Sequence, residues 1–477
     1  SNPGGVVDYV TGIYLAHTES DASSRSRYGS DAGAWFANQT QYLTLDPLVP
    51  NAFSASGRAL LKDSTDRLRK QTLTNTDNKT AAIYGKADWH LDEATGLPFT
   101  LGAGLRITHE NRKTSQAVQV TEEGFGAALN AATEGGFNSN AAGVLGANSA
   151  AQLALANSVA RNYFGAANYA ALNATQRQQV AAAKAVRAAQ RGPTSPLTDA
   201  EAYVGNIPTG VLSLSYKFND GLFVYGTTQL GGKPGISQLV STTNEAAKVK
   251  AETTRAYELG FRSASFGNTL IVVGDVFLQY LNDFQTTLSV YDPVQAAANP
   301  VNPYISLTGN VPQVTVKGLE LDASYTGLPH TTLRFAGAYN NARYTKSVLL
   351  TGPEENGYLA ANVFDAKGKV LPNAPAYSFN LSGDYRVPVR AGLDFHANAN
   401  YHWQSSFYST ATLSEYSKVD PYGVLDLGFG VGPSNRAFDF TLLLKNAFNV
   451  DNQTSPTATS FVPSNPRWVG LMFTGKL

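Results

Sequence analysis

The chain is dominated by segments in which apolar and polar residues alternate one by one. In Leu393–Gln404 the odd-numbered positions are apolar or aromatic, and the even-numbered positions are Asp, His, Asn or Gln. The same period-2 pattern recurs in 99–108, 379–386 and 438–445. Alternation of this kind puts one set of side chains on each face of a β-strand. Each such segment is close to the roughly 9–11 residues that a tilted strand needs to cross a bilayer.

Strands with one apolar and one polar face are typical of an outer-membrane β-barrel, in which lipid meets the outside and water or protein fills the inside. The pattern therefore predicts an all-β fold in which residues 1–477 form one transmembrane antiparallel β-barrel domain of about fourteen strands. The predicted spans are 6–19, 79–92, 99–113, 209–218, 222–229, 249–264, 269–285, 305–326, 331–345, 376–387, 393–405, 421–431, 437–449 and 466–477.

The connections between these strands alternate in length. Short turns, rich in Gly, Asn, Asp and Pro, fall at 92–96, 219–221, 266–268, 327–330, 388–392 and 432–435. Long connections fall at 20–78, 114–208, 230–248, 286–304, 346–375, 406–420 and 450–465. Short periplasmic turns and long extracellular loops would give this alternation.

The stretch 128–192 differs from the rest because it is rich in Ala, Asn and Gln. This composition favours helix, so we expect a helical insertion in the extracellular loop 114–208. Two roles stay open for it: a solvent-facing cap with no direct part in function, or a part in gating or in capturing a ligand.

Composition supports a membrane protein and excludes several other classes. Charged residues are 15% of the chain, against about 25% in soluble proteins. The net charge is zero, which gives no support for a nucleic-acid partner, and there is no Cys, which excludes disulfides and thiolate chemistry. The only Met is Met472, so we expect that Ser1 is not a translation start and that a preceding segment has been removed.

The charged residues predicted to point inward are mixed in sign, which favours a solvated wall with pairs between neighbouring strands. A second interpretation is that part of this wall binds a plug. The set comprises Lys86, Asp88, Arg106, Lys217, Glu258, Arg262, Asp275, Glu320, Asp322, Arg334, Asp384, Arg386, Asp394, Asp426, Asp439 and Lys445.

The sequence predicts no catalytic site, no metal site and no cofactor. The six His residues form no evident set with a Ser nucleophile and an Asp, and no cluster of His, Asp and Glu has metal-ligand spacing. No phosphate-binding loop is present either. We therefore expect that the protein is not an enzyme.

From residue 254 onwards, five short segments follow one another in a recognisable order. They are TRAYELGFR at 254–262, DVFLQYLNDF at 275–284, VKGLELD at 316–322, LLKNAFN at 443–449 and PRWVGL at 466–471. In this order and spacing they resemble the barrel strands of TonB-dependent outer-membrane receptors. Two positions depart from the family pattern: Ala447 stands where Leu is usual, and the chain ends in Leu477 where Phe is usual.

The resemblance implies a 22-stranded barrel with an N-terminal plug, of which this chain would supply the last fourteen strands. The plug, the segment that contacts TonB and the first strands would then lie outside it. The alternative is a complete fourteen-stranded barrel.

The resemblance also implies TonB-driven import of a scarce solute such as a ferric siderophore. TonB, outer-membrane lipid and the solute would be partners, and a surface lipoprotein or other membrane protein is a further one that the family allows. A passive porin and a fourteen-stranded channel for hydrophobic solutes remain alternatives.

Ligand-binding residues are predicted only from position. They should point inward near the extracellular ends of strands, where Glu110, Gln229, Asn340, His402 and Gln404 stand. The competing interpretation for each is an ordinary solvated wall position.

Overall fold

Fourteen long antiparallel strands form one continuous sheet in the computed structural model of the chain. The structure describes residues 6–91, 96–122, 125–192, 194–240, 243, 245–298, 304–356, 362–457 and 460–476. The strands are β1 Val7–Arg27, β2 Leu68–His90, β3 Phe99–Glu122, β4 Tyr203–Asn219, β5 Leu222–Lys233, β6 Glu252–Ser265, β7 Leu270–Tyr291, β8 Tyr304–Tyr325, β9 Thr331–Tyr344, β10 Tyr377–Arg390, β11 Leu393–Gln404, β12 Tyr422–Pro433, β13 Phe438–Lys445 and β14 Trp468–Gly475. All fourteen predicted strands are confirmed.

The strands follow one another in the sheet in the order of the sequence. Five of the six predicted short turns join neighbouring strands as expected, and at 266–268 three consecutive residues adopt positive φ angles. Residues 92–95 of the predicted turn 92–96, and the terminal Leu477, lie outside the described residues.

Several strands run further than predicted at the end of the sheet that carries the long connections. β1 continues to Arg27, β2 begins at Leu68 and β3 continues to Glu122, whereas the prediction assigned 20–78 and 114–208 to loops. In these extensions both faces carry Ser, Thr, Asn and charged residues, so the period-2 pattern is lost. The backbone ladder persists without it, for example where Ser20 pairs with Thr76.

The register shows which side chains share a face. Ile13 on β1 pairs with Ile83 on β2, which pairs with Ile107 on β3, and all three side chains are exposed. The same face continues around the sheet and carries Leu259, which is 63% exposed, and Leu471, which is 86% exposed. A continuous exposed apolar belt has no explanation in water and is expected where lipid covers the sheet.

The predicted helical character of 128–192 is confirmed, and further helices occur where none was predicted. The helices are α1 Ala32–Phe36, α2 Gln39–Leu45, α3 Ser54–Asp63, α4 Ala150–Phe164, α5 Ala174–Arg191 and α6 Pro293–Ala298. Single 3-10 turns lie at Phe125–Leu129, Ala132–Glu134, Tyr169–Ala171, Glu354–Asn356 and Glu415–Ser417. Short strands outside the fourteen lie at Ser195–Asp199, Ile236–Leu239, Ala246–Val249, Leu349–Thr351, Val363–Asp365, Phe407–Tyr408, Lys418–Val419, Gln453–Thr454 and Val462–Pro463.

Two compact hydrophobic clusters lie among the long connections. The larger cluster joins helices of the β1–β2 connection to helices of the β3–β4 connection. It includes Leu60, Leu129 and Val180, each 0% exposed. The smaller packs Leu350 and Ala366, from the connection after β9, against β8 and the end of β9. Two folded units therefore cover one end of the sheet. In the described part of the chain, no helix is both long and apolar enough to span a membrane.

Candidate functional site: the barrel lumen and its mouth

All sixteen charged positions predicted to point inward lie on the face opposite to the apolar belt. The register places Asp275 opposite Glu320, and Arg386 opposite His396, each pair on this inward face. The inward face is therefore polar from β2 to β13, as the alternation predicted.

Many of these charges pair with a neighbour on the wall. The prediction of a solvated wall with pairs between neighbouring strands is confirmed at several heights. Between neighbouring strands, the nitrogen-to-oxygen distances are 2.6 Å for Arg334–Asp384 and 2.8 Å for Lys445–Asp426. A further pair, Lys86–Asp88 at 2.9 Å, lies within β2.

A denser network lies close to the short turns, where four strands meet. His396 Nε2 is 2.8 Å from Asp439 Oδ2, and Arg386 Nη1 is 3.4 Å from Asp394 Oδ2. The hydroxyl of Ser434 donates to Asp394 Oδ1 at 2.7 Å. Because the members satisfy one another, this network ties β10, β11 and β13 together and leaves little capacity for a ligand.

A different arrangement is found on β6, β7 and β8, where four inward carboxylates lie close together. Glu258, Asp275, Glu320 and Asp322 form this acidic patch, with Asp275 directly opposite Glu320. The hydroxyl of Tyr225 donates to Glu258 Oε1 at 2.7 Å. Among the described residues, none of the four carboxylates forms an ion pair. Like charges opposite each other destabilise a sheet, so the acidic patch favours binding of a cationic group.

A shallow trough adjoins the acidic patch. Its floor is formed by Ala336 and Ala338 on β9, which pair with Asp322 and Glu320 on one side. On the other side lies His402, and the trough has a volume of about 340 Å³. The small alanine side chains thus leave room between the carboxylates and the imidazole.

Two of the predicted ligand residues, His402 and Gln404, lie on β11, and Asn340 lies two strands away on β9. The side-chain oxygen of Asn340 is buried without a hydrogen-bond partner in the described residues. These three are grouped on one sector of the wall, and His402 lines the same trough as Glu320 and Asp322.

The other two predicted ligand residues lie apart from that sector. Gln229 is exposed on β5. Glu110 on β3 is only 7% exposed, and its Oε2 accepts from Thr80 Oγ1 at 3.1 Å and lies 3.4 Å from Arg112 Nε. The five residues are therefore not brought into one site, and a ligand role for each stays a prediction.

Over the mouth lies a unit that we name the helical cap, comprising residues 28–67 and 125–192. Its two halves come from different connections but share one hydrophobic cluster. Polar contacts also join them: Arg187 is 1% exposed and its Nη1 donates to the carbonyl oxygen of Ser64 at 3.0 Å. The hydroxyl of Tyr163 donates to Asp63 Oδ2 at 2.9 Å. The helical cap is thus one folded unit.

The helical cap reaches across the mouth. It is rooted on β1, β2 and β3, and its helix α5 contacts α6 at the tip of the β7–β8 hairpin. The connections after β9 and after β11 are also joined to each other, since Ser414 Oγ donates to Glu355 Oε2 at 2.6 Å. Access to the lumen from this end therefore passes between folded units.

Lys184 makes the helical cap sensitive to pH. Its ammonium lies 3.7 Å from the centre of the Phe137 ring and donates to the carbonyl oxygens of Asn130 and Phe137. Burial lowers the pKa of Lys184 from 10.5 to about 8. The folded cap therefore releases this proton at a lower pH than the unfolded chain does.

We expect the helical cap to become more stable as the pH rises from about 8 towards 10, because only the unfolded state then retains the proton. Above about pH 10 the trend should reverse, since burial raises the pKa of Tyr169 to about 12 and the unfolded chain ionises first. Thermal unfolding followed by circular dichroism at the helix band measures this. Lys184→Met should remove most of the rise; the remainder comes from Lys70, whose pKa is lowered by burial and by Arg191 of the cap. An unchanged rise in that variant would contradict the assignment.

Comparison with known proteins places this geometry among established folds. Residues 5–452 match the family described as TonB dependent receptor-like, beta-barrel. The ferric yersiniabactin uptake receptor FyuA from Yersinia pestis is similar in structure, with a TM-score of 0.60 and 16% identity over 99% of this chain and 52% of that one. The siderophore receptor PiuA from Acinetobacter baumannii gives a TM-score of 0.52 and 12% identity over 85% of this chain and 51% of that one. The chain spans about half the length of each of these structures.

Proposed function

Because the chain belongs to the family of TonB-dependent receptor-like β-barrels of the bacterial outer membrane, we propose that it serves the active import of a scarce solute, with a ferric siderophore as the solute class. The match over most of the chain is the observation that carries this proposal. Two solved structures of similar fold are named as a ferric yersiniabactin uptake receptor and as a siderophore receptor, which supports that class. Transport rather than catalysis is proposed, and no reaction is assigned.

In this proposal the end with the long connections faces the outside of the cell, and the solute is captured at the folded mouth. The lumen wall below is polar, so a solute or a protein segment inside it meets hydrogen-bonding groups rather than lipid. TonB is the proposed source of energy, acting through a plug segment held in the lumen.

We propose that the acidic patch is where such a plug binds. Glu258, Asp275, Glu320 and Asp322 offer several acceptors within one sector of the wall, and Tyr225 holds Glu258 in place. An Arg or Lys of the plug would gain charge-assisted hydrogen bonds there and would relieve the repulsion between the carboxylates.

Uptake of radioactive iron bound to siderophores, by iron-starved cells that express the protein, tests the proposed function. With one siderophore offered at a time, uptake of at least one should require both the protein and TonB. Uptake that persists without TonB would instead favour a passive porin or channel, and absence of uptake with every siderophore tried would overturn the assigned solute class.

Reversing the charge of the acidic patch should abolish TonB-dependent uptake. We expect Glu258→Lys combined with Glu320→Lys to lower uptake by at least about tenfold, because two cations would repel the cationic group that the patch binds. Asp220→Lys, at a fully exposed residue in the short turn between β4 and β5 at the opposite end from the mouth, is the matched control and should leave uptake unchanged. Normal uptake by the double variant, at an equal amount of folded protein, would rule out this role for the patch.

A further inference from the structure

On the lumen wall, Arg106 is held in place by its neighbours and forms no ion pair within the described residues. Arg106 points inward from β3, on a sector of the wall away from the acidic patch, and its side chain is half-buried. Its Nε donates to Thr108 Oγ1 at 2.9 Å. That bond fixes the direction of the guanidinium plane.

Two tyrosines flank the guanidinium. Arg106 Cζ lies 5.1 Å from the centre of the Tyr14 ring and 5.9 Å from the centre of the Tyr84 ring. Both distances suit a cation–π contact. Gly12 gives Tyr84 its room, since a Cβ there would be 2.5 Å from the Tyr84 hydroxyl oxygen. We name Arg106, Tyr14 and Tyr84 the arginine cradle.

The carboxylates nearest along the wall are already occupied. Lys86 lies 2.9 Å from Asp88, and Arg112 lies 3.4 Å from Glu110. Within the described residues Arg106 forms no ion pair, so its two terminal amino groups have no carboxylate partner. These amino groups, on the edge of the guanidinium, are the donors to which an acceptor would bind.

We propose that the arginine cradle is a binding site for a small organic carboxylate. A carboxylate accepts two parallel hydrogen bonds from the edge of a guanidinium, and an arginine that is already oriented loses little entropy on binding. Tyr14 is 45% exposed, so its hydroxyl can reach the ligand as a further donor. The arginine cradle recognises the carboxylate group, and the width of the lumen around it limits the size of the ligand.

The inference rests on the proposed function only in taking the ligand to be a solute that passes through the lumen. Binding itself needs neither TonB nor transport. It can therefore be measured on the purified chain, and a failure of TonB-dependent uptake would leave the binding result standing.

The probe is 4-fluorobenzoate, observed by fluorine NMR with the purified chain in detergent micelles. We expect saturable binding in the millimolar range, and none for the neutral analogue 4-fluorobenzamide. Arg106→Lys keeps the charge but loses the planar pair of donors, so it should bind about tenfold more weakly. Gly12→Val, which displaces Tyr84, should also weaken binding.

Arg25→Lys, at an exposed position on the extension of β1, is the matched control and should bind like the wild type. The proposal is overturned if the probe does not saturate, or if Arg106→Lys binds as tightly as the wild type. A capped Ala-Asp-Ala peptide tests the source of the carboxylate. If that peptide binds more tightly than the probe, the cradle holds a protein side chain rather than a small solute.

Discussion

Leu60→Asp in the first long connection should unfold helices that belong to the second. Leu60 is 0% exposed and shares its hydrophobic cluster with residues of α4 and α5, such as Val159 and Val180. The substitution removes a buried side chain and places an unpaired charge in the cluster, which should cost roughly 5 kcal/mol of cap stability. Hydrogen exchange of the amides in α4 and α5 is the measurement.

The fourteen strands should keep their protection in this variant, because the cluster does not extend into the membrane-spanning wall. Ala55→Asp is the control on the same helix. It introduces the same charge at an exposed position in the first turn of α3, where a negative charge is tolerated. Full protection of α4 and α5 in Leu60→Asp would show that the two connections fold separately.

Leu212→Arg should lower the free energy of unfolding of the protein in a bilayer, although the residue that it replaces is exposed. Leu212 lies on β4, in the apolar belt, and is 51% exposed. In water such a change is nearly neutral. On a lipid-facing wall a midplane arginine costs about 2–4 kcal/mol, so the urea midpoint of unfolding from lipid vesicles should fall clearly.

The adjacent residue supplies the control. Ser213 lies on the inward face of the same strand, opposite Gly102 and Thr227. Ser213→Arg therefore meets the polar lumen and should change stability by less than about 1 kcal/mol. Equal effects at the two neighbouring positions would contradict the assignment of the faces.

The membrane-spanning strands could be predicted because each of their faces meets a different medium, which imposes the alternation seen in 393–404. The extensions at 20–27 and 68–78 were missed for the same reason: water bathes both of their faces, so no periodicity marks them. Helices α1–α3 were also missed. A capping box, in which Asn38 and Gln41 bond reciprocally, was a readable signal for one of them.

The candidate sites depend on information that the sequence does not carry. Each carboxylate of the acidic patch was predicted to point inward, but their convergence follows from the register that sets Asp275 opposite Glu320. The arginine cradle depends further on side-chain conformations, which bring Tyr14 over Arg106 from two strands away. Alternation predicts the face of a residue and leaves its neighbours undetermined.

The exposure of successive positions along β11 to lipid and to water shows directly whether this strand separates the two media. The chain has no Cys, so single cysteines introduced from 395 to 403 can each carry a nitroxide spin label without background. In vesicles, labels at odd positions should collide mainly with oxygen dissolved in lipid, and labels at even positions mainly with a water-soluble nickel chelate. Collision rates that show no period of two along this strand would contradict a wall with lipid on one face and a polar lumen on the other.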